Sequence, residues 1–225
     1  MSVSSKKRDE HPRVAVYGGS FDPVHNGHLA IAHALIAQFD LDQFIFIPAS
    51  HAPHKVRLEP TSAYDRYTML CLITAESTNI SVSKMEIEMP ERPFSVETLT
   101  RVNAERPNDE IFFVMGADSW MDIKTWREWE KVLSLSNHIV VSRPGYGVSG
   151  DHVTDEIRER IVDLRKHDRY EIQRDAVRRI YLTDSVNQDV SATEIRKKIR
   201  SNDLTWHQDV PNEVANYIEK YQIYS

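Results

Sequence analysis

The chain has 225 residues, 40% hydrophobic and 28% charged, with a formal net charge of −6. Such a composition can bury a sizeable core in one large domain or two small ones. Its acidic balance argues against a protein whose main partner is nucleic acid, which leaves a basic footprint.

No run reaches the ~18 apolar residues that a membrane span requires. Residues 1–12 are polar, lack the hydrophobic segment of a secretory signal and read as a disordered lead-in, so the cytoplasm is the expected location. The single cysteine, Cys71, excludes an internal disulfide and suits a reducing compartment. Its neighbours Met69, Leu70, Leu72 and Ile73 make it a buried small hydrophobe rather than a nucleophile.

In chain order, apolar β-type runs fall at 14–17, 44–48, 80–85, 111–115, 138–142 and 179–182. Segments of helical character alternate with them at 29–39, 63–75, 95–103 and 126–135. Alternation of this kind predicts an α/β architecture: a doubly wound, mainly parallel sheet with helices on both faces. Runs such as Phe44-Ile45-Phe46-Ile47 are continuously apolar, as strands covered on both sides are. The segment 146–175 is crowded with charge, and its Ile157, Ile161 and Leu164 recur at helical spacing. It reads as an exposed amphipathic helix or a mobile insertion, a solvated charged face being the plain alternative. Residues 191–223 look helical, with Pro211-Asn212-Glu213 opening a last helix. Residues 13–225 are thus taken as one domain with a charged insertion and a helical C-terminal subdomain.

The distinctive residues follow strands, where ligands sit in such sheets. After the first strand come Gly18-Gly19-Ser20-Phe21-Asp22-Pro23-Val24-His25-Asn26-Gly27-His28, a glycine turn with two imidazoles at a helix entrance. Free N–H groups and the helix dipole favour an anion there, and the histidines add donors that can become cationic near neutral pH. A tight turn with structural histidines is the bland alternative. Metal binding is disfavoured, because ligand pairs on one helix face usually stand at i, i+4.

This run resembles the first signature of the nucleotidyltransferases that carry (T/H)xGH on a Rossmann-like sheet. Ser191-Ala192-Thr193-Glu194-Ile195-Arg196 resembles their second signature, although alone it is an ordinary helix cap. Further segments are similar to those of bacterial nicotinate-nucleotide adenylyltransferases: Ile47-Pro48 with Pro53-His54-Lys55, then 93–99, then Phe113 to Ser119, then Thr125-Trp126-Arg127 and Arg143-Pro144-Gly145-Tyr146. Ser50, Phe94 and Arg127 depart from residues frequent in that family.

The resemblance implies an enzyme that transfers AMP from ATP to nicotinate mononucleotide and releases pyrophosphate. By it, His25, His28 and Arg196 are the catalytic residues. ATP falls to Gly18, Gly19, Ser20, Phe21, Lys55, Gly116, Asp118, Ser191 and Thr193. The mononucleotide falls to Ser50, His54, Ser95, Phe113, Trp126, Arg127 and Arg143, with Phe113 and Trp126 sandwiching the pyridine ring. Bland readings stand beside these: core packing for Phe113 and Trp126, a helix cap for Asp118, a solvated charge for Lys55. Mg²⁺ is expected through the ATP phosphates, with no metal site of the protein's own. A homo-oligomer is compatible with the sequence. Rival readings are nicotinamide mononucleotide adenylyltransferase, the shorter phosphopantetheine adenylyltransferases and a non-catalytic nucleotide sensor.

Overall fold

A computed structural model describes residues 11–50, 61–89, 91, 93–142, 147–166, 171–172, 177–184 and 190–224. Its frame is a seven-stranded sheet in which every neighbouring pair is parallel. The strands are β1 (Arg13–Gly19), β2 (Gln43–Pro48), β3 (Ile80–Val82), β4 (Glu110–Gly116), β5 (Asn137–Val141), β6 (Ile161–Asp163) and β7 (Ile180–Thr183). Their order in space is β3-β2-β1-β4-β5-β7-β6. Succession along the sheet reverses between β1 and β4, so the crevice beyond their carboxyl ends is the expected ligand site.

Side-chain alternation feeds two cores. Ala15 and Tyr17 of β1, Phe44 and Phe46 of β2, and Phe112 and Val114 of β4 face one side. There they meet α1 (Asn26–Phe39), α2 (Ala63–Thr74), α7 (Ala192–Arg200) and α8 (Asn212–Tyr221) through Leu35, Phe39, Met69, Leu70, Ile195 and Val214. Val14, Val16, Ile45, Ile47, Phe113 and Met115 face the other side. That side is covered by α3 (Ser95–Glu105), α4 (Ala117–Met121) and α5 (Trp129–Leu135) through Leu99, Trp120 and Leu133. The continuous apolar strands follow from this double cover.

Three local expectations are corrected. The charged segment does not form a helix over 157–164: α6 spans only Asp155–Arg158, and the chain then runs into β6. Ile157 and Leu164 are buried, and β6 pairs with β7 at the sheet edge, so the helical spacing was a coincidence of a short helix and a short strand. Trp126 is not helical; it ends a 3₁₀ turn at Ile123–Thr125 in extended conformation, and α5 starts at Trp129. Cys71 is half-buried rather than buried. The C-terminal part is α7, a 3₁₀ turn at Leu204–Gln208, and α8. Among the described residues no helix is long and apolar enough to cross a membrane.

Candidate active site

β1 stays in register with β2 up to Gly19, opposite Pro48, and the chain then leaves the sheet. Phe21 turns in a left-handed conformation (φ 48°) and buries its ring. The ring lies under Gly19: a Cβ there would come within 2.9 Å of Phe21 Cζ, so the second glycine makes room for it. Edge-on contacts to Tyr17, Phe46 and His28, with centroids 5.5, 5.3 and 5.0 Å away, complete its packing. Phe21 is therefore a core side chain.

His25 is the N-cap of α1 and buried, in extended conformation. Its backbone N–H donates to Nδ1 of His28 at 3.2 Å, and the two rings stack 3.7 Å apart at 29°. Gly27 permits this: a Cβ at 27 would lie 3.1 Å from both Cε1 and Nδ1 of His25. Burial, and then the charge of His25, push the His28 imidazole well below its ordinary pKa. His28 is thus neutral at pH 7 rather than cationic. With Nδ1 accepting, its proton sits on Nε2, where it can be donated to an oxyanion. One helix-entrance donor is occupied, since the Asn26 backbone N–H donates to the Asp209 carbonyl at 3.0 Å. The Asn26 side chain adds a bond to the Gln208 carbonyl at 2.9 Å. The C-terminal segment is thus docked on the histidine motif.

Ser191 caps α7, placing Thr193 and Arg196 beside the first motif. Arg196 is buried; its Nη1 donates to the Asp22 carbonyl and lies 3.8 Å from Oδ2 of the same residue. Nη2 donates to Thr193 Oγ1 at 3.3 Å. Oδ1 of Asp22 accepts from the Tyr224 hydroxyl at 2.7 Å. The two motifs are joined by their own side chains and the C-terminal tail.

Across the crevice, Gly116 caps α4, and a Cβ on it would meet nothing within 4 Å, so open space fronts it. Asp118 is exposed in the first turn of α4; the cap position belongs to Gly116. Phe113 is buried, and its ring meets Trp126 edge-to-face at 6.3 Å and 85°. These rings contact each other and are not the parallel walls of a sandwich, because perpendicular packing suits their quadrupoles. Ser95 opens α3, whose first N–H groups lack helical acceptors. Arg127 reaches the same corner, with Nη1 3.3 Å from Glu97 Oε1 and its guanidinium 4.9 Å from the centre of the Phe94 ring.

Oγ of Ser50 is buried with no hydrogen-bond partner among the described residues. His54, Lys55 and Arg143 lie outside the described residues. Sequence reasoning passed over Asp22 as the partner of Arg196, over Tyr224 as the donor to Asp22, and over Arg66, which has no accessible surface and bonds to the Ser20 and Ala49 carbonyls. Arg66 does carry a signal: it falls on the α2 stripe of Met69 and Leu70, where a charge needs buried partners.

The cytidylyltransferase-like family model matches residues 16–198, which contain the histidine turn, Gly116, Asp118 and Arg196. A Mycolicibacterium vanbaalenii protein described as a probable nicotinate-nucleotide adenylyltransferase is 32% identical over 212 residues, 94% of this chain and 92% of its own. This chain belongs to the nicotinate-nucleotide adenylyltransferase family. Another such relative, from Corynebacterium jeikeium, is 34% identical over 208 residues, covering 92% of this chain and 98% of its own. The Plasmodium falciparum nicotinic acid mononucleotide adenylyltransferase solved with NaAD shares the fold, with a TM-score of 0.66 at 21% identity over 95% of this chain and 98% of that one. As a member of this family the protein is a nucleotidyltransferase with a Rossmann-like sheet.

Proposed function

We propose that the enzyme transfers the adenylyl group of ATP to nicotinate mononucleotide, forming nicotinate adenine dinucleotide and pyrophosphate for NAD biosynthesis. The observation that carries this reading is the junction of the two motifs, with Arg196 bonded to Asp22 one turn ahead of the stacked His25–His28 pair. It lies at the sheet crevice faced by open Gly116 and exposed Asp118.

The 5′-phosphate of the mononucleotide attacks the α-phosphorus of ATP in line with departing pyrophosphate, and no covalent enzyme group is needed. His28 donates from Nε2 to a phosphate oxygen as charge develops, and a bound phosphate raises its pKa back toward the cationic range. His25 stacks on it and fixes its plane. Arg196 offers its remaining N–H groups to the leaving phosphates, while Asp118 accepts from the ribose hydroxyls. Among the described residues no group of three His, Cys, Asp or Glu side chains could hold a metal. Mg²⁺ would enter with ATP and would supply charge neutralisation to its phosphates. The pyridine ring is received at the edge-to-face pair of Phe113 and Trp126. Main-chain N–H groups at Ser95 and Arg127 meet the nicotinate carboxylate, as a helix N-terminus suits an anion. We place the enzyme in the cytoplasm, with nucleotides as its partners.

Purified protein incubated with ATP, Mg²⁺ and either mononucleotide tests the reading by pyrophosphate release and dinucleotide formation. Nicotinate mononucleotide is expected to have the higher kcat/KM. A preference for the amide would instead make this a nicotinamide mononucleotide adenylyltransferase.

A further inference from the structure

Arg66 is charged and yet has no accessible surface. Its guanidinium makes a fan of hydrogen bonds, all to main-chain carbonyls. Nε donates to Thr61 at 3.0 Å, Nη1 to Ser20 at 2.6 Å, and Nη2 to Ala49 at 2.6 Å and Ser50 at 3.3 Å. Ser20 follows β1, Ala49 and Ser50 follow β2, and Thr61 precedes the Ser62 cap of α2. One side chain therefore ties together the loops that leave the carboxyl ends of two adjacent strands. Burial lowers the Arg66 pKa from its ordinary value, while Asp22, Tyr224 and Glu86 act to raise it. A guanidinium is costly to bury, and only a filled set of acceptors makes the position tenable.

The bonds also have a direction. In a trans peptide the carbonyl and the next N–H point to opposite sides. Holding the Ser20 and Ala49 carbonyls toward Arg66 turns the N–H groups of Phe21 and Ser50 away from it. These are main-chain donors in the glycine turn and the β2 loop, beside the crevice.

We infer that Arg66 is a positioning residue that locks the β1 and β2 loops into one substrate-binding surface. It touches no substrate and acts through the main chain that it holds. The inference rests on the adenylyl-transfer reading above. It separates two kinds of contribution: His28 acts on an oxygen of the reacting phosphate, whereas Arg66 sets how well the loops receive the substrates.

Arg66→Lys and Arg66→Met in the full chain test this with ATP, Mg²⁺ and nicotinate mononucleotide. Lysine keeps the charge as a point donor but cannot fork across carbonyls from separate loops. In both variants KM for at least one substrate is expected to rise ~10-fold or more while kcat stays within ~3-fold, the signature of lost uniform binding. A purely structural role would lower the melting temperature and the folded fraction, and with it the apparent kcat. It would leave KM unchanged, because KM does not depend on how much of a preparation is folded. KM values within ~2-fold of wild type, measured on the soluble folded fraction of either variant, overturn the inference. Wild-type turnover separates the two readings. Product from wild type with unchanged KM in the variants overturns the Arg66 role alone; no product from wild type overturns adenylyl transfer and the Arg66 role with it.

Discussion

His28 is the residue to which we assign the stabilisation of charge in the transfer step, and its environment explains why a histidine suits that role. Packed against Phe21 and stacked on His25, it is held neutral, with its proton on Nε2. A neutral imidazole beside two incoming anions is a group whose charge state responds to the substrate: phosphate favours the cation, and the cation favours the pentavalent transition state. His28→Ala removes this donor but leaves the loops in place. It is expected to lower kcat at least ~10²-fold, about 2.7 kcal/mol of transition-state stabilisation, with a smaller change in KM. Steady-state kinetics with both substrates saturating in turn checks this. Unchanged turnover would remove His28 from the chemistry. The contrast with Arg66, expected to act on KM, makes the two residues a pair of opposed diagnostics.

At the scale of elements, the entrance of α1 shows how a helix is shaped by the site it carries. Gly27 does not need its glycine for backbone reasons, since it is helical and its φ is not in the left-handed region; it needs the space that His25 occupies. Gly27→Ala is favoured by helix propensity by up to about 1 kcal/mol, so the melting temperature should hold or rise. The added methyl must push the His25 ring by a few tenths of an ångström, and kcat is expected to fall about tenfold, since small misplacements of aligned groups are costly. A variant with full activity would show that the stacked pair tolerates displacement. Much of this region was legible in the sequence, because strand, glycine turn, histidines and helix are consecutive. β2, β4 and β5 were legible for a related reason: continuous apolar runs leave few other structures. β6 was hidden, being three residues long beside Ile157 and Leu164, whose spacing mimics a helix. The contacts of Arg66 with Ser20 and of Arg196 with Asp22 span 46 and 174 residues, so no local pattern encodes them. Trp126 could be matched to a ligand role but not to its perpendicular contact with Phe113, which depends on where a 3₁₀ turn ends.

The molecule as a whole places its acid sensitivity in the core as well as at the site. His138 lies on β5 with no accessible surface, its ring 5.8 Å from that of Phe113. Nδ1 lies 3.1 Å from the Ser136 carbonyl and so carries the proton; Nε2 has no partner among the described residues. Burial first, and the positive Arg160 second, lower its pKa from 6.5 to about 3, with the Ser136 bond acting weakly in the other direction. An unfolded chain takes up this proton near pH 6.5, while the folded protein refuses it until about pH 3. Between those values the unfolded state binds more protons, so stability rises with pH: the His138 contribution is complete above pH 6.5 and is lost progressively as pH falls toward 3. From about pH 7.5 to about pH 5 the loss from this one residue amounts to about 2 kcal/mol. His28 acts with the same sign and His207, whose pKa its bonds to Leu204 and Glu219 raise, acts against it, so the difference between variant and wild type isolates the His138 share. His138→Leu keeps an apolar side chain of similar bulk in the β5 core and removes the titration. Urea unfolding of both proteins at the two pH values should show the variant losing about 2 kcal/mol less than wild type. Equal losses would mean that His138 is protonated without cost, which its burial beneath Phe113 does not allow.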